Sequence, residues 1–334
     1  MNYLKFVVAF FVIGLTSWGV RAQPLESSLK VVNYTYSYTT AGGASVTRTI
    51  PAKIYVPAAG TYDPLVPLPI VMYLHGSGER GNGIDVDGLA GIDSWAFSDS
   101  LQLLDRPAIY VAPRGIKDLA TTDAEYLENL ARYGSDYASS GEYWLNNYGS
   151  TDSYDHNAFP VSASLRGAMS LGDTLLTTPT FTNLVDGTNF TLPSVDVNRQ
   201  YLVGWSAGGD GVWDAIVRNP LKYAAAIPVS GVGDPGAFAS TPALAAQQVR
   251  AFAADGDFTD QQSAIAKMKA AMGNAGGVGT ADLVAGTNHY TVSNAVFGSL
   301  DNRNWLFAQS LVPEPSSLLL GSLGLLALWR RRRA

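Results

Sequence analysis

Tyr201-Leu202-Val203-Gly204-Trp205-Ser206-Ala207-Gly208-Gly209 is an apolar run that breaks at a Gly-x-Ser-x-Gly turn and leads into the helical pattern Val212 to Arg218. Strand, sharp turn and helix in that order form the context of a nucleophile elbow, in which a serine hydroxyl is presented from a strained turn. The flanking small residues let strand and helix approach closely. The chain carries 34 glycines, so the motif gains its weight from what surrounds it.

Upstream, the buried-strand run Pro69 to Leu74 ends in His75-Gly76-Ser77-Gly78-Glu79-Arg80-Gly81. A glycine-rich loop after such a strand can aim backbone N–H groups inward, as stabilising a developing oxyanion requires. The backbone amides around Ser77 and of Ala207 are the candidates. His75 reads as structural, and Glu79 with Arg80 as an ion pair or loop anchor.

Downstream, the helix pattern stops at Asn219-Pro220, and the runs Tyr223 to Gly231 and Val249 to Ala254 read as further buried strands. The second of these ends in Asp255-Gly256-Asp257. The chain has only three histidines, and His289 alone comes after this acidic turn. A serine hydroxyl needs a neighbouring imidazole to take its proton, and a carboxylate fixes the tautomer of that imidazole. Serine, acid and histidine thus occur in that order along the chain, with Ser206 first, Asp255, Asp257 or Asp260 as the acid, and His289 last. Thr259 or Asp260 is expected to cap the helix marked by Ile265, Met268 and Met272.

Leu74 to Gly81, Asp196 to Gly209, Asn219-Pro220 and Val229 to Pro235 together resemble bacterial α/β-hydrolases of the esterase and polyhydroxyalkanoate-depolymerase-like group. This group includes relatives of feruloyl and acetyl-xylan esterases and the phospholipase/carboxylesterase branch. The resemblance covers about Ile50 to Gln309. It implies an α/β fold with a mostly parallel sheet, Ser206 as nucleophile, Asp257 as acid, His289 as base, and an oxyanion site near Ser77 and Ala207. The acid turn departs from the family pattern, since Ala253-Ala254 stand where relatives carry a histidine-glycine pair. Asn304 to Gln309 resembles the helix that closes these domains. The function implied is ester hydrolysis through an acyl-enzyme without a cofactor. A peptidase on the same fold, or a non-catalytic surface or matrix-binding protein on that scaffold, is the alternative.

Between the strand Ala108 to Pro113 and the nucleophile strand runs a long connection, residues 114–194, rich in small polar residues and in aromatics such as Tyr137, Tyr143, Trp144, Tyr148 and Tyr154. Connections this long are usually functional or disordered, and this one leaves a strand end where ligands bind in α/β sheets. It is expected to form a lid or substrate platform. Tyr143 and Trp144, with Gly78 and Trp205 beside the nucleophile, are the candidate substrate contacts; the rival is that the insert's aromatics pack its own small core. His156 reads as a solvent-exposed loop residue. No metal-ligand spacing, phosphate loop or internal repeat stands out.

The termini set the compartment. Residues 1–22 combine Lys5, an apolar run and the ending Val20-Arg21-Ala22, the pattern of a secretory signal peptide. Residues 312–334 combine Val312-Pro313-Glu314-Pro315, an apolar stretch and Arg330 to Arg333. This resembles a PEP-CTERM sorting signal, which implies an exosortase-type processing enzyme as partner and a cell-surface or extracellular-matrix location. The arginines would stay cytoplasmic while the apolar stretch holds an export intermediate; a retained membrane anchor is the alternative. Residues 23–311 then form one catalytic domain, large enough to fold without disulfides in a chain of 0 cysteines. Removing both ends would leave 16 basic and 27 acidic residues, a net charge near −11. That balance argues against nucleic acid as a partner, because phosphate binding needs a basic face.

Overall fold

The computed structural model describes residues 29–77, 106–116, 119–133, 144 and 153–311. The chain enters with an antiparallel pair, β1 (Leu29–Thr39) and β2 (Ser45–Tyr55), and continues with β3 (Leu68–Leu74) and β4 (Ile109–Pro113). The elbow strand is β7 (Val195–Trp205), followed by β8 (Ala225–Val229), β9 (Arg250–Gly256) and β10 (Thr280–Asn288). These make one sheet in the order β1-β2-β4-β3-β7-β8-β9-β10. The pairs β1–β2 and β2–β4 are antiparallel, and from β4 onward every pairing is parallel.

β3 is buried at every position, as a central strand covered on both sides must be. Its side chains alternate between two cores. Leu68, Ile70, Met72 and Leu74 join Leu165, Leu171 and Trp213 on one side of the sheet. Val71 and Tyr73 join Tyr201, Val203, Val292, Val296, Phe297 and Leu306 on the other. The helical partners come from α2 (Ala163–Leu175), α3 (Ala207–Arg218), α6 (Val292–Gly298) and α7 (Leu300–Ala308); the other helices are α1 (Ala124–Tyr133), α4 (Pro235–Ser240) and α5 (Thr259–Asn274).

The long connection is less of a loop than its composition suggests. Its second half contains α2, which starts at the cap Ser162 and packs on β1 and β2, and then a small hairpin of β5 (Thr180–Thr182) and β6 (Asn189–Thr191). Much of residues 114–194 is therefore the helical crossover that two parallel strands require. The segment 154–159 is also docked. Arg218, at the end of α3, holds the buried Asp214 through its Nε and donates through Nη2 to Tyr154 Oη, His156 O and Phe159 O. Tyr137 and Tyr148 lie outside the described residues, as do residues 1–22 and 312–334 and the Glu79-Arg80 pair.

The β1–β2 hairpin is fastened to this crossover by tyrosines on one face. Tyr34, Tyr36 and Tyr38 stack at 6.2 and 5.7 Å; Tyr34 Oη bonds Ser170 and Thr174, and Tyr36 Oη donates to Ala163 O at 2.5 Å. Arg48 grips both oxygens of Asp123 just before α1. No helix among the described residues is long and apolar enough to cross a membrane. Tyr36→Phe is expected to lower stability by about 1 kcal/mol, the net worth of one buried hydrogen bond, read as a lowered urea midpoint with unchanged slope.

Candidate active site

Ser206 stands between β7 and α3 at φ 56°, ψ −124°, a left-handed backbone that a serine adopts only under constraint. Its N–H donates to Val229 O at 2.9 Å, which pins the turn to the end of β8. The turn also abuts β3, where a Cβ at Gly208 would lie 1.8 Å from the Leu74 carbonyl oxygen. Gly204 is equally confined, since a Cβ there would lie 2.5 Å from Gly208 O. Only glycine fits these positions.

Ser206, Asp257 and His289 converge at the carboxyl ends of β7, β9 and β10. Ser206 Oγ lies 3.0 Å from His289 Nε2, and His289 Nδ1 lies 2.7 Å from Asp257 Oδ1. All three residues are buried. The backbone N–H of Phe258 also donates to Asp257 Oδ1, while Ser230 Oγ and the N–H of Ala254 donate to Oδ2. Burial pushes the Asp257 carboxyl up, but the hydrogen bonds from His289 and Ser230, the imidazole charge and the Phe258 amide more than offset it. The carboxyl is thus held below its usual range.

The other two acids take different places. Asp255 accepts from the backbone N–H groups of Gly286 and Thr287, tying the end of β9 to the end of β10, just before His289. Those backbone donors lower its carboxyl, the Gly286 bond foremost. Asp260 accepts from the N–H of Gln261 in the first turn of α5. The expected cap is not made by Thr259 or Asp260. The cap position falls on Phe258, whose ring has no acceptor for the free N–H groups of the first turn; its own N–H goes to the Asp257 carboxylate.

The His75-Gly76-Ser77 loop lies beside the serine, since a Cβ at Gly76 would be 3.6 Å from Ser206 Cβ and 2.8 Å from the Trp205 ring. Ala207 is the first residue of α3, where N–H groups have no intrahelical acceptor. His75 holds the loop: Gly115 N–H donates to Nε2 at 2.9 Å, so the ring proton sits on Nδ1, 2.6 Å from Gly76 O. Gly78 and Tyr143 lie outside the described residues.

Two expected substrate contacts prove to be packing residues. Trp144 is 1% exposed, stands against His75 and Gly211, and donates its indole N–H to His75 O. Trp205 is buried too, and its indole N–H donates to His289 O at 2.8 Å, so it fixes the histidine instead of facing substrate. Among the described residues, two exposed aromatic rings lie against His289: Phe258, 54% exposed with its ring at 4.7 Å, and Tyr290, 60% exposed at 5.5 Å. Neither has a spacing signal; only their place beside the acid and the histidine could have marked them.

His156 is not the free surface residue that the sequence suggests. Its Nδ1 lies 2.5 Å from Asp234 Oδ2, which also takes its backbone N–H. Among the described residues, Asp155, His156 and Asp234 bring ligand-type atoms within 4.8 Å of one another. Asp234 is engaged elsewhere as well, its Oδ1 capping α4 through Ala237 N–H.

The fold is that of the α/β-hydrolases. A thermostable esterase of solved structure superposes with a TM-score of 0.57 at 20% identity, over 83% of this chain and 63% of that one. This chain thus spans less than two thirds of that esterase's length. A feruloyl esterase module from Clostridium thermocellum, complexed with sinapinate, matches at 18% identity over 84% and 89% of the two chains, with a TM-score of 0.39. An S-formylglutathione hydrolase from Agrobacterium tumefaciens matches at 14% over 83% and 95%, with a TM-score of 0.48. The likeness is to esterases and hydrolases, and at these identities it speaks for fold alone. No curated protein matches the sequence. Residues 311–333 match the PEP-CTERM protein-sorting motif, which implies export and exosortase-mediated sorting to the surface.

The glycines give a direct test of the turn. Gly208→Ala is expected to abolish soluble folded protein, whereas Gly273→Ala in α5, where a Cβ meets nothing within 4 Å, should raise stability by about 0.5–1 kcal/mol. Thermal melts of the two variants check both halves.

Proposed function

We propose that the protein is an exported serine esterase that hydrolyses carboxylic esters through an acyl-enzyme. The observation that carries this reading is the unbroken relay from Ser206 Oγ to His289 Nε2 at 3.0 Å and from His289 Nδ1 to Asp257 at 2.7 Å. Ser206 Oγ attacks the ester carbonyl carbon while its proton passes to His289 Nε2. The resulting oxyanion is held by backbone N–H groups near Ser77 and Ala207. As the tetrahedral intermediate collapses, the bond to the alcohol oxygen breaks and His289 gives its proton to that oxygen. Water then attacks the acyl-enzyme, losing a proton to His289, which returns it to Ser206 Oγ. Asp257 orients the imidazole and stabilises its charged form throughout.

The alcohol must leave on the histidine side, because His289 protonates it. Phe258 and Tyr290 turn apolar rings to water on that side. An alcohol with a flat apolar face, such as a sugar ring or an aromatic group, would cover them, whereas ethanol would not. Phe258→Ala and Tyr290→Ala are each expected to cut kcat/KM about three- to tenfold for acetylated sugars or aryl acetates, with ethyl acetate unaffected. Equal effects on all three esters would count against the assignment.

Ser206→Ala and His289→Ala should each lower ester hydrolysis by about four orders of magnitude or more in folded protein, since triad members act as a unit. A fluorophosphonate probe should label the wild type and not Ser206→Ala. Peptide substrates run beside the esters decide between esterase and peptidase, and absence of labelling in the wild type would leave only a binding role.

The tail acts as an address. The hydrolase domain closes at Leu311, whose N–H donates to Asn198 O, and Gln309 O accepts from Tyr201 Oη. A chain ending at Leu311 should keep full activity. Mature protein recovered from the surface or medium should lack Arg330 to Arg333 by intact mass; retention of the arginines would mean a permanent anchor.

A further inference from the structure

Asp257 presents one oxygen to His289, and the other needs a restraint of its own to keep the carboxylate from rotating. Ser230 Oγ supplies the shorter of its two hydrogen bonds, 2.5 Å to Oδ2 against 3.2 Å from Ala254 N–H. The serine is 1% exposed, and Asp257 is the partner of its hydroxyl.

The backbone of Ser230 makes this more than incidental. It sits at φ +49°, a left-handed conformation that glycine adopts freely and a residue with a Cβ does not. Its surroundings enforce that conformation from three directions. Its N–H donates to Phe252 O at 2.7 Å, and the N–H of Val232 donates to Asp210 Oδ1 at 2.6 Å. Between them, Gly231 is pressed on the nucleophile turn so closely that a Cβ there would lie 2.3 Å from the Gly209 carbonyl carbon. The chain must leave β8 in this way whatever residue stands at 230. A glycine would meet that demand with less strain, yet the position carries a side chain whose one buried polar atom is aimed at the carboxylate.

We propose that Ser230 is a positioning residue: its hydroxyl locks Oδ2 of Asp257 so that Oδ1 stays in line with His289 Nδ1. This inference rests on the triad reading above. Strained backbone kept at a site where the local structure does not need the side chain is the pattern expected when function retains the residue.

Ser230→Gly separates the two roles a buried serine can have. It relaxes the backbone and removes only the hydroxyl, so the melting temperature should stay at or above that of the wild type. We expect kcat to fall about tenfold, the loss of one hydrogen bond to a charged group, with KM unchanged. The downfield proton resonance between His289 Nδ1 and Asp257, assigned by its loss in His289→Ala, should shift or broaden. Ser230→Ala, which keeps the strain, should show the same kcat loss with a lower melting temperature. Wild-type kcat in either folded variant, or an unmoved resonance, overturns the inference while Ser206→Ala remains inactive. An active Ser206→Ala overturns the triad reading itself.

Discussion

The contact between Gly208 and the carbonyl of Leu74 is the constraint on which the site depends. Two adjacent parallel strands, β3 and β7, end together, and the turn after β7 is driven so close to the end of β3 that no side chain fits at position 208. Ser206 is thereby forced into a left-handed conformation, with its N–H spent on Val229 of the other neighbouring strand. Such strain persists only where packing over-determines it. Here the sheet does so from both sides, and the hydroxyl is raised above the strand ends as a result. The same close approach brings the His75-Gly76-Ser77 loop beside the serine, because that loop continues directly from Leu74 at the end of β3.

The remaining groups are held by residues that transfer no proton. Trp205 clamps the carbonyl of His289, Asp255 takes two N–H groups at the end of β10 just before it, and Gln262 Nε2 donates to the carbonyls of Asp255 and Asp257. Each bond is worth about 0.5–1.5 kcal/mol, which is small beside the stability of a domain. Their joint effect is geometric: they fix three loops relative to one another at the tolerance of a fraction of an ångström that proton transfer needs. Asp255, an alternative acid by spacing, thus contributes by holding the histidine loop in place.

The strands and helices that bear the site are legible in the sequence because they combine continuous apolar runs with sharp stops. Pro69 to Leu74, Ala108 to Pro113 and the helix ending before Pro220 lie within a residue or a few of the observed elements. The strand runs begun at Tyr223 and Val249 and the helix marked by Ile265, Met268 and Met272 are equally plain. Order and scarcity single out Ser206 and His289 but leave the acid open among Asp255, Asp257 and Asp260; in space it is Asp257 that meets the histidine. The connection 114–194 hides α2 because that helix starts among small residues, and its burial comes from Tyr36, Ile50 and Met72 on distant strands. Trp144 and Trp205 look like surface groups in the sequence because a tryptophan's burial depends on what the rest of the chain brings to it. Ser230 leaves no trace there, since a serine at a strand end looks the same whether its hydroxyl meets water or a carboxylate.

The direction of β7 also determines how a tail and an active site can share one chain. Ser206 stands just past the carboxyl end of this strand, whereas Leu311 bonds Asn198 near its amino end. Eight residues of extended chain at about 3.3 Å each separate the two points by roughly 25 Å. Leu311 therefore lies at the end of the sheet opposite the Ser206 turn. A tether that continues from Leu311 would thus start on the side of the sheet away from the Ser206 turn.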